Sequence, residues 1–263
     1  MTDKTTPVLA VSGLDVVRDG LWLLRDIELS LAPGEVLALL GGPGSGKTTL
    51  LEALATGEGI RAGRFEVDGH TLPPADPLAR RRCGLACAFA RPAIVPRLSV
   101  ADHLELAADA AADGRTRIAR VLELLPELRG QLRLRADRLA FAAQRLVDLG
   151  RALVAARSVL LIDQPFADFR AARVRALVDA LRPLGLALLL AERRMRLALE
   201  VADRAMLLVG GRIVLAAPPR ELADDERVLA ACLGDIGDVG EFAGEEKETA
   251  RTPAGRSPER SET

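Results

Sequence analysis

The stretch Gly41-Gly42-Pro43-Gly44-Ser45-Gly46-Lys47-Thr48-Thr49 has the residue types and spacing to hold a nucleoside triphosphate. Gly41, Gly46, Lys47 and Thr48 complete a G-x-x-x-x-G-K-[ST] pattern. Glycines let the backbone curl so that successive N–H groups point inward at phosphate oxygens. A helix that follows adds its positive N-terminal end. The Lys47 ammonium reaches the outer phosphates, and the Thr48 hydroxyl can ligate Mg²⁺. The chemistry needs a strand before the loop and a helix after it. Val36-Leu37-Ala38-Leu39-Leu40 reads as a buried strand, and Leu50-Leu51-Glu52-Ala53-Leu54 as the opening of a helix. A second apolar run, Val159-Leu160-Leu161-Ile162, ends on the carboxylate of Asp163.

Composition narrows the partners. The chain has 263 residues and is 49 % hydrophobic, enough for one large α/β domain with a full core. A net charge of −1 argues against nucleic-acid binding driven by bulk charge. Aromatic residues make up 3 % and there is no Tyr, so stacking platforms for single strands are not expected either. Cys83 and Cys87 are four apart, but no second ligand pair or nearby His completes a zinc site; with Cys232 they read as small apolar residues. The N-terminal MTDKTTPVLA has no basic-then-apolar signal, and no apolar run reaches the ~18 residues of a membrane span. These features point to a cytosolic chain that reaches a membrane only through a partner.

The elements that must position the loop follow in order. Residues 8–31 read as two strands, with a turn at Arg18-Asp19-Gly20. The helix from Thr48 stops near Thr56-Gly57. Phe65 to His70 reads as a short strand and turn, and Leu85 to Phe89 as an apolar strand. Residues 99–153 are rich in Ala, Leu, Arg and Glu at helical spacing, broken at Gly114, Pro126 and Gly130, so a helical subdomain of about residues 95–153 is expected inside the α/β core. After the strand ending at Asp163 come a helix at about 171–182, a strand Leu184–Ala191, a hairpin turning at Gly210-Gly211, and a helix at about 219–233. Residues 1–7 are expected to be a flexible N-terminus, and 237–263 a disordered, polar tail.

This order of landmarks resembles the ATP-binding subunits of ABC transporters over residues 8–236, and within them the branched-chain amino acid and urea uptake group. That group carries a segment close to GIGRKFQxP. Here Gly84-Leu85-Ala86-Cys87-Ala88-Phe89-Ala90-Arg91-Pro92 matches it in register. Its domain commonly closes on V-x-x-x-Y-L-G, and Val228 to Gly234 reads VLAACLG, with Cys232 at the tyrosine position. The resemblance implies a P-loop NTPase core with an N-terminal antiparallel β subdomain and an inserted helical subdomain. It implies ATP and Mg²⁺ as cofactors, with Asp163 joining Thr48 in holding the metal. It also implies membrane permease subunits as partners, a homodimer or a heterodimer with a second ATP-binding subunit, and a peripheral position on the inner face of the cell membrane.

Several family positions are changed. The glutamate that polarises the attacking water is Gln164 here, and an amide can orient water but cannot accept its proton. Loss of a general base typically costs ~10²–10⁴-fold in rate. The loop glutamine is Ala90, and the switch histidine is Arg193, whose guanidinium is able to contact a γ-phosphate. The signature LSGGQ stands as Leu139-Ala140-Phe141-Ala142-Ala143, losing its hydroxyl and its close backbone approach. The dimer-contact stretch reads Ala167-Asp168-Phe169-Arg170, with a reversed charge at Arg170. The adenine-stacking aromatic aligns with Arg18, which can stack through its planar guanidinium; Trp22 is a possible substitute. His70 and His103 have no motif context. The expectation is a chain that binds Mg-ATP with weak or absent hydrolysis. The alternatives are a soluble nucleotide-sensing regulatory pseudo-ATPase, and an active ATPase using substituted residues.

Overall fold

A computed structural model describes residues 6–108, 113–164, 166 and 169–233. Two sheets share the work. The first is antiparallel, in the order β2-β1-β4-β5. Its strands are β1 (Leu9–Arg18), β2 (Leu21–Leu31), β4 (Ile60–Val67) and β5 (His70–Thr71). Asp19 and Gly20 both take positive φ (51° and 78°), the conformation a two-residue hairpin turn requires, so the expected turn joins β1 to β2. Leu9 and Val11, then Leu14 and Val16 after a register shift at Gly13, are buried at alternate positions, as one face of a half-covered strand demands.

The second sheet runs β10-β9-β3-β8-β7-β6. It contains β3 (Val36–Leu40), β6 (Leu85–Ala88), β7 (Val159–Asp163), β8 (Ala187–Ala191), β9 (Arg204–Val209) and β10 (Arg212–Ala217). All pairings are parallel except β9–β10. Every residue of β3, β7 and β8 is buried, which explains why these strands read as continuous apolar runs rather than alternating ones. On one face packs α1 (Lys47–Thr56), through Leu50, Leu51 and Leu54, together with the antiparallel sheet. On the other pack α5 (Phe141–Ala155) and α6 (Ala171–Leu181).

Between β6 and β7 the chain forms α3 (Val100–Ala108), α4 (Gly114–Leu124) and α5. Gly114 is the first residue of α4, and a Cβ there would lie 2.9 Å from the Ala108 Cβ. Two expectations shift. The strand expected from Leu184 begins at Ala187, because a 3₁₀ turn at Arg182–Leu184 ends on Gly185 in the left-handed region. The last helix divides into α8 (Pro219–Leu222) and α9 (Glu226–Leu233). Short α2 (Pro77–Arg82) and α7 (Met195–Val201) complete the set. The expected tail at 237–263 and the domain limit at 236 lie outside the described residues, as do residues 1–5 of the expected N-terminal segment.

Candidate functional site

β3, β8 and β7 are parallel neighbours, so their C-terminal ends share one edge of the sheet. That edge is where open parallel sheets bind ligands. It brings together the loop after β3, Asp163 at the end of β7 with Gln164 after it, and Glu192 and Arg193 after β8. A cavity of about 530 Å³ opens between them. Its walls are Gly41, residues 43–49, Gln164, Arg193 and, from α9, Cys232 and Leu233.

The loop is shaped by glycine. Gly41, Gly44 and Gly46 have φ of 143°, 77° and 109°. A Cβ on Gly41 would lie 2.3 Å from the Leu208 carbonyl oxygen, and one on Gly46 2.7 Å from Leu24 Cδ2. Gly46 is the N-cap of α1 and offers no side-chain cap, so the first-turn N–H groups are left to a ligand. Lys47 Nζ donates to the carbonyls of Gly41 (2.6 Å) and Gly42 (2.9 Å) and to Ser45 Oγ (3.1 Å). Burial lowers its pKa, opposed by Cys232 and Asp163 and reinforced by the like charge of Arg193. Gly42 thus serves the loop through its carbonyl rather than by walling the cavity.

Asp163 is 1 % exposed, and its Oδ2 has no hydrogen-bond partner among the described residues. Burial raises its pKa; hydrogen bonds from Thr48 and Gln164 pull it down, Glu52 pushes it up and Lys47 opposes that. A buried carboxylate oxygen without a donor, beside the Thr48 hydroxyl, is a pair of hard oxygen ligands of the kind Mg²⁺ takes. Thr48 and Asp163 would hold the ion, which would supply positive charge to offset that of the phosphates.

Gln164 carries φ of 50°, uncommon for a residue with a Cβ. Its N–H donates to the Ala191 carbonyl (2.9 Å), and its carbonyl accepts from Arg145 at the start of α5. These two contacts fix it in that conformation. Its side-chain Nε2 approaches Asp163 Oδ1 at 3.5 Å. Arg193 is exposed at the cavity wall, and its N–H donates to Glu192 Oε1 (3.0 Å). Buried Glu192 also accepts from the Arg194 N–H (3.1 Å), and the Arg194 guanidinium reaches the carbonyls of Phe166 (2.7 Å) and Phe169 (2.8 Å). The segments after β7 and β8 are therefore tied together, a link between residues too far apart in the chain to be read from local pattern.

Other positions lie apart. Arg18, expected over an adenine, is held on α1 by Glu52 (2.9 Å) and does not wall the cavity; the ion pair draws its guanidinium onto the helix. Trp22 is 52 % exposed on β2, with the Arg25 guanidinium 5.2 Å from its ring centre. The Ala140 N-cap of α5 has no side-chain cap, and Phe141 is 57 % exposed beside it. Ala90 is half-buried, next to Phe89, whose N–H donates to Asp148 Oδ2 (2.8 Å). Ala167 and Asp168 lie outside the described residues. His103 is buried, its Nε2 accepting from the Val95 N–H and its Nδ1 donating to the Ser99 carbonyl. Cys232 was legible only as a family position. Its sulfur accepts from the Gly41 N–H; burial raises its pKa, while that hydrogen bond and the Lys47 charge oppose the rise. Among the described residues, no group of His, Cys, Asp or Glu could form a multidentate metal site, and no helix is long and apolar enough to cross a membrane.

Known proteins share this arrangement. Residues 24–167 match the family model described as ABC transporter. A probable branched-chain amino acid transport ATP-binding protein, LivF, from Archaeoglobus fulgidus is 29 % identical, over 82 % of this chain and 94 % of its own. The high-affinity branched-chain amino acid transport ATP-binding protein BraG from Pseudomonas aeruginosa is 29 % identical, over 80 % and 93 %. In fold, a nucleotide-free ATP-binding cassette from an ABC transporter superposes with a TM-score of 0.73 at 20 % identity, covering 89 % of this chain and all (100 %) of that one. With its β3–loop–α1 unit inside the matched span, the chain belongs to the ABC transporter family, whose ATP-binding members take ATP with Mg²⁺.

Proposed function

We propose that this chain is the ATP-binding subunit of an ABC importer for branched-chain amino acids, urea or related small polar solutes, and that it binds Mg-ATP while hydrolysing it weakly or not at all. The substrate class rests on the relatives named for branched-chain amino acid transport and on the GLACAFARP segment. The chain would dock from the inner face of the membrane onto permease subunits and pair with itself or with a second ATP-binding subunit. Gly41–Thr49 cradle the phosphates, Thr48 and Asp163 hold the metal, and Arg193 takes the place from which a cation reaches the γ-phosphate.

One observation carries the weak-hydrolysis reading. The described walls of the cavity include cations at Lys47 and Arg193 and an amide at Gln164, but no carboxylate. Such a wall grips and orients a triphosphate and a water, yet has no group in the general-base position to take that water's proton. The test measures binding and turnover on one sample. The purified chain, with and without its permease pair, is titrated with a fluorescent ATP analogue and then assayed for phosphate release. Saturable binding with little release is expected. Turnover typical of enzymes, ~1 s⁻¹ or faster, from the chain alone overturns the weak-hydrolysis reading. A soluble chain that never co-purifies with a permease would instead favour a nucleotide-sensing regulator.

A further inference from the structure

A second cavity, of about 230 Å³, lies at the opposite edge of the parallel sheet. Ala156, Arg157 and Leu186 in its wall precede the starts of β7 and β8, whereas the phosphate loop sits where the strands end. Its floor is apolar and buried: Val121 of α4, Leu153 of α5, Leu181 of α6 and Leu186. Its rim carries three guanidiniums, Arg117, Arg120 and Arg157, against one carboxylate, Asp113.

What the rim lacks is acid to match its arginines. Arg151, Arg182 and Arg204 each meet an acid in an ion pair. Arg117, Arg120 and Arg157 meet none among the described residues. Arg117 donates to the Ala156 carbonyl and Arg157 to the Arg82 carbonyl, which pins both heads while leaving further N–H donors over. Arg120 is exposed, without a hydrogen-bond partner among the described residues. The pKa of Arg117 is lowered chiefly by burial; Asp113 opposes this, and Arg157 and Arg120 add to the lowering, so the three charges stand close enough to repel.

We propose that this cavity binds a small amphipathic anion, a carboxylate on a short aliphatic chain. Guanidinium forks take a carboxylate in bidentate geometry, and here the anion would relieve repulsion among three like charges. The leucine and valine floor takes the alkyl chain, as a free inorganic anion would not. A volume below the ~300–1,000 Å³ of ordinary ligand pockets sets the size to a short chain rather than a lipid. The site is separate from the phosphate cradle and does not depend on how that cradle works.

The test is calorimetric titration of the full chain with octanoate, and separately with inorganic phosphate. Octanoate is expected to saturate one site and to bind more tightly than phosphate. Arg120→Glu, at an exposed position that leaves the fold intact, is expected to weaken octanoate roughly tenfold or more. Lys47→Ala is expected to leave octanoate binding unchanged. The proposal is overturned by octanoate that fails to saturate at millimolar concentration or binds Arg120→Glu as well as the parent. It is equally overturned by phosphate binding as tightly as octanoate, or by loss of octanoate binding in Lys47→Ala, which would move the carboxylate to the nucleotide cradle.

Discussion

Two helices in this molecule begin in the same way and arrive at opposite chemistry. α1 starts from Gly46 and α5 from Ala140; neither N-cap supplies a side-chain oxygen, and neither first turn holds an acid. Both therefore present free N–H groups and the positive end of a helix dipole. Yet only α1 opens into a cavity that fits a triphosphate. The difference lies in the backbone that enters each helix. Gly41, Gly44 and Gly46 turn through the left-handed region and leave room where a Cβ would collide with Leu208 or Leu24. The chain enters α5 through extended Leu139 and Ala140, and Phe141 then stands exposed at the mouth. A helix N-terminus attracts an anion in general, but a built site also needs a loop that lets the anion approach.

The largest effect that could break this comparison is at Lys47. Lys47→Ala should weaken ATP binding by on the order of 10²-fold, because charge-assisted hydrogen bonds to the outer phosphates are lost. Phe141→Ala should leave the same titration unchanged in the isolated chain. If the two variants lose affinity alike, α5 also touches nucleotide within one chain, and the contrast between the helices fails.

Next in size is Gly41→Ala. Its new Cβ meets a main-chain oxygen at 2.3 Å, and its φ of 143° is a conformation side chains rarely adopt. A stability loss of about 2–4 kcal/mol is expected in denaturant unfolding. Phe141→Ala should stay within about 1 kcal/mol, since the ring is exposed and loses little beyond its contact with Arg145, 5.8 Å away. An equal loss at both sites would mean that the cradle is no more constrained than the blunt end.

The same contrast separates what was legible in the sequence from what was not. The cradle is local: glycines, lysine and threonine lie within nine consecutive positions, flanked by apolar runs whose period shows strand and helix. The buried strands β3, β7 and β8 were equally plain, because a strand covered on both faces has no polar interruptions. What could not be read arises from pairing over long sequence separations. Arg18 has a guanidinium able to stack, but the fold pairs it with Glu52, 34 positions further along the chain. Cys232 reaches Gly41 only because α9 folds back over the loop, and Arg194 ties Phe166 and Phe169 to Glu192. The division of the last helix at residues 223–225 and the late start of β8 turn on single residues, where periodicity is too coarse to decide.

A smaller effect sharpens the cradle side. Asp163 is buried, and one of its oxygens has no partner among the described residues. Its folded pKa is raised, chiefly by burial, so the folded chain holds this proton more readily than the unfolded chain. Stability then falls as pH rises from the ordinary Asp value, ~3.9, through the raised one, and stays lowered above it. Asp163→Asn should therefore stabilise the ligand-free chain at neutral pH, by on the order of 1 kcal/mol, and flatten that part of the pH profile. It should also remove the Mg²⁺ dependence of nucleotide binding. Destabilisation at neutral pH, with Mg²⁺ dependence kept, would show that the lone oxygen is not a metal ligand in waiting.

The smallest effect tests the other helix. Ala140 has φ of −59° and ψ of 152°, the extended geometry from which a serine hydroxyl can accept the Ala142 or Ala143 N–H. Ala140→Ser should add about 0.5–1 kcal/mol to unfolding stability, the usual worth of a restored cap. It should not change the ATP affinity of the isolated chain, because Ala140 is not in the cavity wall. Stability and affinity are read on the same preparation, by denaturant unfolding and by titration. A gain in stability alone keeps the two helix starts independent. A gain in affinity would couple them, by way of the contact between Arg145 on α5 and the Gln164 carbonyl, and the cradle would no longer be an autonomous unit of loop and helix.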